Sequence, residues 1–308
     1  MGRYNRLALR PYSFRVKYGQ PGLEIANGGN VMSQPVTTMH AATPIAQPRA
    51  LTLAMSVGGE AGLHDLPRLC KYGLGVEITD FIAVSTWQGD YQAHARRWAE
   101  ALRDFPGGKC LHGAFIDLHP SAVEPEVVAF ARRRHQQSLE VAATLGCDLM
   151  VVHSDFPTRE ALPVRQTERA ARLVEYFGDL AHAATAYGVT LAVENIYDTN
   201  PRQLADLADA INLPNLGLSL DVGHANLYGP TYALDEWLAV LRPHLRHVHL
   251  HDNDGRYDRH WAVGSGSMSF RAFHEAVRDM APAPRVTIEV VPREDAWRTF
   301  DALREQGW

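Results

Sequence analysis

Eight short apolar runs, rich in β-branched residues and separated by longer stretches with helical periodicity, set the tightest limit on how this chain folds. The runs are Leu51–Val57, Gly75–Phe81, Lys109–Phe115, Leu149–Ser154, Thr190–Glu194, Leu216–Asp221, His247–His251 and Val286–Val291. Amphipathic segments lie between or after them at Tyr91–Phe105, Pro125–Leu145, Arg165–Tyr187, Ala233–Leu245, Ser269–Met280 and Glu294–Glu305. Strands that alternate with helices build a parallel sheet, and eight such units close on themselves. The expected fold is therefore an α/β (β/α)8 TIM barrel, a form that typically takes about 250 residues. A doubly wound open sheet is the rival, but no GxGxxG or Walker sequence follows the first run.

That barrel accounts for residues 49–308 as one catalytic domain. Residues 1–48 lack the rhythm and carry Arg3, Arg6, Arg10, Arg15 and Lys17 against Glu24 alone. They read as an irregular or disordered N-terminal extension, with a targeting segment as the weaker reading. The rest of the chain is acidic enough to bring the total to −5, which gives no sign of a broad nucleic-acid footprint. No apolar stretch approaches the roughly 20 residues of a membrane span, so no membrane partner is expected. Cys70, Cys110 and Cys147 are scattered without CxxC spacing, which argues against disulfides and thiolate metal sites and favours a reducing, cytoplasmic setting.

Barrels of this kind carry their chemistry where the strands end and the βα loops begin. Those ends read His112 in "CLHGAF", His153 in "MVVHSD", Glu194 in "LAVEN" and Asp221 with His224 in "LSLDVGH". His249 in "HVHLHD" and Glu289 in "VTIEV" complete six consecutive strands bearing a metal-ligand type at or near this end. A lone His or Asp at a strand end is more often a hydrogen-bonded structural group than a ligand. Glu194 and Glu289 differ, because an ionised carboxylate inside an apolar run is costly without a compensating partner. As a set, Glu194, Asp221, His249 and Glu289 offer three carboxylates and one imidazole, which suits Mn2+, Co2+ or Mg2+; further imidazoles would move the preference to Zn2+.

Strand alternation puts His247, His249 and His251 on one face, with His249 central, His247 deeper and His251 towards the rim. Asp258 and His260 follow two residues apart and can point together into the mouth. Gly264 and Gly266, before a helix expected near Ser269, would suit an oxyanion or phosphate contact.

The blocks "AVEN", "LSLDVGHA", "HVHLHDNDGRYDRHWAVGSG" and "TIEVV" resemble the xylose isomerase-like TIM-barrel superfamily over about residues 50–308. The superfamily includes sugar-phosphate isomerases, ketose 3-epimerases and endonuclease IV. The resemblance implies that Glu194, Asp221, His249 and Glu289 hold the central metal. It also implies a homo-oligomer acting on a small-molecule sugar or sugar phosphate by isomerisation or epimerisation. In that chemistry Glu194 and Glu289 are the acid/base pair around a metal-stabilised enediolate. His224 and Arg256 would orient substrate oxygens, and Trp261 and Phe156 would wall the pocket. His112, His153, His224, Asp258 and His260 fall where endonuclease IV would have its additional zinc ligands. The alternative is therefore a multi-zinc phosphodiesterase at abasic DNA, the one reading with a nucleic-acid partner. Against it, no Arg/Lys-rich loops stand at the strand ends to grip phosphates. A barrel reduced to a non-enzymatic binding role fits poorly with an intact glutamate pair.

Overall fold

The computed structural model describes residues 52–308. The expected extension over residues 1–48, and the domain boundary at 49, lie outside the described residues.

Eight parallel strands close in sequence order, β1 pairing with β8. They are β1 (Thr52–Val57), β2 (Gly75–Ile78), β3 (Lys109–His112), β4 (Leu149–His153), β5 (Thr190–Glu194), β6 (Leu216–Asp221), β7 (Leu245–Leu250) and β8 (Arg285–Ile288). The helices are α1 (Gly59–Tyr72), α2 (Val84–Gln88), α3 (Tyr91–Ala101), α4 (Pro125–Leu145), α5 (Pro163–Thr185), α6 (Pro201–Ile211), α7 (Val222–Tyr228), α8 (Leu234–Leu241), α9 (Arg271–Arg278) and α10 (Arg293–Glu305). Several boundaries carry their own signals. Proline opens α4, α5 and α6, where its missing N–H is no loss. Gly73 and Gly146 take the left-handed conformation that ends α1 and α4.

β5 and β6 coincide with their apolar runs and β7 starts two residues earlier than its run, whereas β2, β3, β4 and β8 end before theirs, because those runs continue into the start of the following loop. Phe81 belongs to a 3-10 turn, Asp80–Ile82, and is fully buried. Glu289 lies one residue beyond β8, and His251 one beyond β7. The last helix before β8 begins at Arg271 rather than near Ser269.

Period-two alternation divides each strand between two cores. Leu53, Met55, Val57, Val76, Ile78, Met150, Val152, Leu191, Val193, Val286 and Ile288 face outward and pack with the helices in the large core. The inward set is separate and small, formed by Cys110, Leu149, Val151 and Ala192. Above this floor the inward positions turn polar. Glu77, Ser219, His247 and Thr287 are all fully buried there. No helix among the described residues is long and apolar enough to cross a membrane.

The loop after β7 folds back on itself. Asp252 and Trp261 exchange backbone hydrogen bonds of 2.9 Å in an antiparallel bridge. The fully buried Asp252 carboxylate accepts from the N–H groups of Asn253 (2.8 Å), Gly264 (3.0 Å), Gly266 (2.9 Å) and Met268 (3.4 Å). The two glycine N–H groups expected to meet an oxyanion or phosphate are thus occupied by an internal carboxylate. A Cβ on Gly266 would lie 2.2 Å from the Asn253 carbonyl oxygen and 2.4 Å from Asp252 Oδ1. Backbone cannot yield to that contact as a flexible side chain would. Gly266→Ala is expected to cost about 1–3 kcal/mol, read as a lower urea midpoint at unchanged m-value; an unaltered midpoint would contradict the packing described.

Candidate metal centre

Four side chains from four strand ends converge at the mouth of the barrel. His249 Nδ1 lies 3.0 Å from Glu194 Oε1, 3.4 Å from Glu289 Oε2 and 3.8 Å from Asp221 Oδ2. Glu194, Asp221 and His249 are buried, while the Glu289 side chain keeps 15% of its exposure and marks the open side.

Neighbouring residues hold this geometry. Asp221 ends β6 and caps α7, its Oδ1 accepting the His224 N–H at 2.7 Å. The Asn195 side chain clamps the Asp221 backbone in both directions, accepting from its N–H at 2.8 Å and donating to its carbonyl at 2.9 Å. His251 Nε2 lies 3.1 Å from both Asp221 oxygens. Its ring packs onto Gly223, where a Cβ would come within 2.0 Å of His251 Cε1, so the "DVGH" glycine is required by this close approach. His251 is fully buried rather than at the rim as expected. His247 is deeper, as expected, paired with Ser219 Oγ (2.9 Å) and Thr287 Oγ1 (2.8 Å).

Five further side chains from the sequence reading flank the four. His112 Nε2 and His153 Nε2 stand 3.7 and 3.8 Å from Glu194 Oε2, a buried oxygen without a hydrogen-bond partner. On the other flank Asp258 Oδ2 lies 3.3 Å from His224 Nε2 and 3.2 Å from His260 Nε2. Three of these imidazoles are anchored alike. Nδ1 of His112, His224 and His260 meets the backbone carbonyls of Gly113 (3.0 Å), Asn195 (3.0 Å) and Glu289 (2.9 Å). A carbonyl only accepts, so each Nδ1 donates and each Nε2 is left facing the centre, the arrangement that orients metal-ligating histidines.

Arg256 is exposed, and its backbone N–H donates to Asp254 Oδ1 at 3.0 Å. Trp261 is half-buried, with the Arg259 guanidinium 5.6 Å from its ring centroid. Phe156 is buried in the helix-facing core, and Phe115 stacks on His153 with ring centroids 3.9 Å apart. A cavity of about 320 Å³ opens beside this pair, between Leu118, Asp155, Ile196 and Tyr197. Glu77 on β2 escaped the sequence reading although it is fully buried, with Oε1 2.8 Å from His249 Nε2. Its signal was present: one carboxylate inside "GVEI" is as anomalous as Glu194 inside "TLAVE".

The donor set fits a divalent cation. Among the described residues no Lys or Arg forms an ion pair with Glu77, Glu194, Asp221, Asp258 or Glu289; imidazoles alone face them. Burial opposes ionisation of Glu194, yet His249, His153 and His112 outweigh it and hold its carboxyl down at about 2. Burial likewise opposes the charge on His224, but Asp221, Asp258 and Glu194 raise it to about 10. His260 reaches about 9 against its own burial, through Asp258 and Glu289.

The barrel and its acidic, histidine-ringed mouth define the class of protein. The sequence profile of the xylose isomerase-like TIM barrel matches residues 74–306, and the chain belongs to that family. Among solved structures it is similar to the TTHB071 protein of Thermus thermophilus, soaked with ZnCl2. The two are 30% identical with a TM-score of 0.69, over 83% of this chain and 97% of that one. A D-tagatose 3-epimerase-like protein is 21% identical with a TM-score of 0.71, over 83% of this chain and 96% of that one. The xylose isomerase of Thermus thermophilus is 24% identical, covering 68% of this chain and 60% of its own length.

His224 and His260 also predict a pH dependence. Their folded-state values lie above the ordinary histidine value of 6.5, so the folded metal-free protein binds more protons than the unfolded chain between them. Their contribution to stability is complete below pH 6.5 and is lost as pH rises towards 9 and 10. Thermal melts in EDTA should show Tm falling over this window; a flat profile would contradict the assigned charges.

Proposed function

We propose that this chain is a divalent-metal-dependent isomerase or epimerase of sugars, with its reaction centre at Glu194, Asp221, His249 and Glu289. The observation that carries this reading is the convergence of three carboxylates on one imidazole nitrogen at the mouth. Family membership and the epimerase-like fold support a sugar substrate. The lining of the cavity beside His153 does too. Its walls combine Phe115, Leu118, Ile196 and Tyr197 with Asp117, Asp155 and the imidazoles of His119, His135 and His153, a mix of apolar and hydrogen-bonding groups that suits a polyol.

Glu194 Oε1, Asp221 Oδ2, His249 Nδ1 and Glu289 Oε2 would hold the ion, and three carboxylates with one imidazole suit Mn2+, Co2+ or Mg2+. When bound, the ion supplies Lewis acidity that polarises a carbonyl and acidifies the neighbouring C–H bond. The proton itself is moved by the chain. Glu289, on the open side, would remove it from the substrate carbon. Glu194 stands on β5, three strands away from β8, and its Oε2 has no hydrogen-bond partner. A proton taken up by Glu194 from solvent and delivered to the opposite face would invert that carbon. His153 and His224 border this space and would contact substrate hydroxyls. The expected cytoplasmic, homo-oligomeric setting rests on the family resemblance and on the free thiols of Cys70, Cys110 and Cys147.

A second reading, multi-zinc phosphodiester hydrolysis, is favoured by one observation: His112, His224 and His260 each present an anchored Nε2 to the centre. Metal stoichiometry separates the two. About one Mn2+ or Co2+ per chain supports the sugar enzyme, whereas three tightly bound zincs with EDTA-sensitive incision of an abasic-site duplex assign the nuclease.

For the glutamate pair, the Mn2+-loaded protein should wash solvent deuterium into a ketose. Glu289→Gln is expected to slow that exchange by about 10²–10⁴-fold. Exchange at the parental rate would rule the pair out.

A further inference from the structure

Beneath the four proposed ligands lies a buried polar layer that the proposed reaction does not use. It crosses the barrel interior from β2 to β7, β6 and β8 through Glu77, His247, Ser219 and Thr287, all fully buried, and reaches the proposed ligand His249 from below. Glu77 Oε1 lies 2.8 Å from His249 Nε2. Its Oε2 lies 3.1 Å from His247 Nε2, but that nitrogen pairs with Thr287 Oγ1 at 2.8 Å, and Oε2 is left without an aligned donor. A carboxylate sealed in this way is expensive, and an apolar side chain of similar volume would fill the space at lower cost. Its oxygen must therefore act on something, and the one group it engages squarely is His249.

We infer that Glu77 is a positioning residue: by accepting the His249 Nε2 proton it fixes the imidazole so that the Nδ1 lone pair faces Glu194, Asp221 and Glu289. This inference rests on the metal-centre reading above and deepens it. Four histidines of the mouth then follow two complementary designs. His112, His224 and His260 are anchored through Nδ1 to backbone carbonyls and present Nε2. His249, on a strand whose own carbonyls pair within the sheet, is anchored through Nε2 to a side chain from β2 and presents Nδ1. A carboxylate is a stronger acceptor than a carbonyl and makes the opposite ring nitrogen a better donor to a cation.

The test uses the full chain with Co2+ as the only probe, followed by calorimetric titration and by the exchangeable, hyperfine-shifted imidazole N–H resonances of the Co2+-loaded protein. In Glu77→Met, Co2+ is expected to bind about 10–100-fold more weakly, and one exchangeable resonance should vanish while the protein remains folded. Glu77→Gln keeps an acceptor oxygen and should retain that resonance, with a smaller loss of affinity. Should Glu77→Met fail to fold, Glu77→Gln decides: weaker Co2+ binding and faster solvent exchange of that proton support the inference. Wild-type affinity with every exchangeable resonance kept, in whichever variant decides, overturns it. An Asp221→Asn control separates the two levels. If it weakens Co2+ binding while the Glu77 variants do not, the metal centre stands and the role of Glu77 falls. If the wild-type chain takes up no Co2+, both fall together.

Discussion

The crowding of carboxylates around His249 is the constraint to which the rest of the mouth answers. The ligand atoms of Glu194 and Asp221, with His224, lie within 4.8 Å of one another. At that separation two like charges repel by about 3 kcal/mol even at an effective dielectric near 20. A single hydrogen bond returns only about 1 kcal/mol net. No cap or clamp could hold such a set by itself, so positive charge is required at its centre. Without a cation, imidazolium groups supply it, which is why burial fails to keep His224 and His260 neutral. A divalent ion concentrates the same charge at one point and leaves each imidazole to act as a neutral donor.

The scaffold prepares that centre in layers. Small apolar side chains, Cys110, Leu149, Val151 and Ala192, close the floor of the barrel. A polar layer follows, and its donors and acceptors fix ring orientations above it. Strand ends contribute the carboxylates, and the loops supply anchors that need little side-chain entropy: an N-cap at Asp221, a reciprocal amide clamp from Asn195, and carbonyls beneath three histidines. The return of the β7 loop serves the same end. By gathering four N–H groups, Asp252 stiffens the segment that carries Asp258 and His260.

Features that depend on periodicity were legible in the sequence. Alternation of two along a strand, with helical stretches between, suffices for a barrel, and it identifies strand ends as the places to look for Glu194, Asp221, His249 and Glu289. Features that depend on which groups meet were not. Gly264 and Gly266 look like an anion cradle until Asp252 is found to occupy it. His251 looks like a rim residue until Gly223 is seen to admit its ring. Arg256 has the chemistry to hold a substrate oxygen, but its loop directs it to solvent. Glu77 carries the same signature as Glu194, but the histidines that give it a role lie 170 and 172 positions away, on β7.

How many cations such a mouth takes follows from how its nitrogens are aimed. The three anchored imidazoles and Asp258 form arms on either side of the central four. An anchored imidazole whose Nε2 faces a carboxylate can serve two purposes: it can complete the coordination of another ion, or it can donate to a hydroxyl of a bound sugar. The first needs a neutral ring, the second a proton on Nε2. Against their burial, Asp221 with Asp258 raises His224, and Asp258 with Glu289 raises His260, which favours the donor role as long as no further cation displaces the proton. His153, pushed down to about 3 mainly by its own burial, remains neutral and free to accept. Under the proposed sugar reading, a polyol chain offers hydroxyls that both donate and accept, and would meet protonated imidazoles on one flank and a neutral one on the other. Asp258 borders both histidines of its flank, and with a second ion in place the same carboxylate would become that ion's ligand.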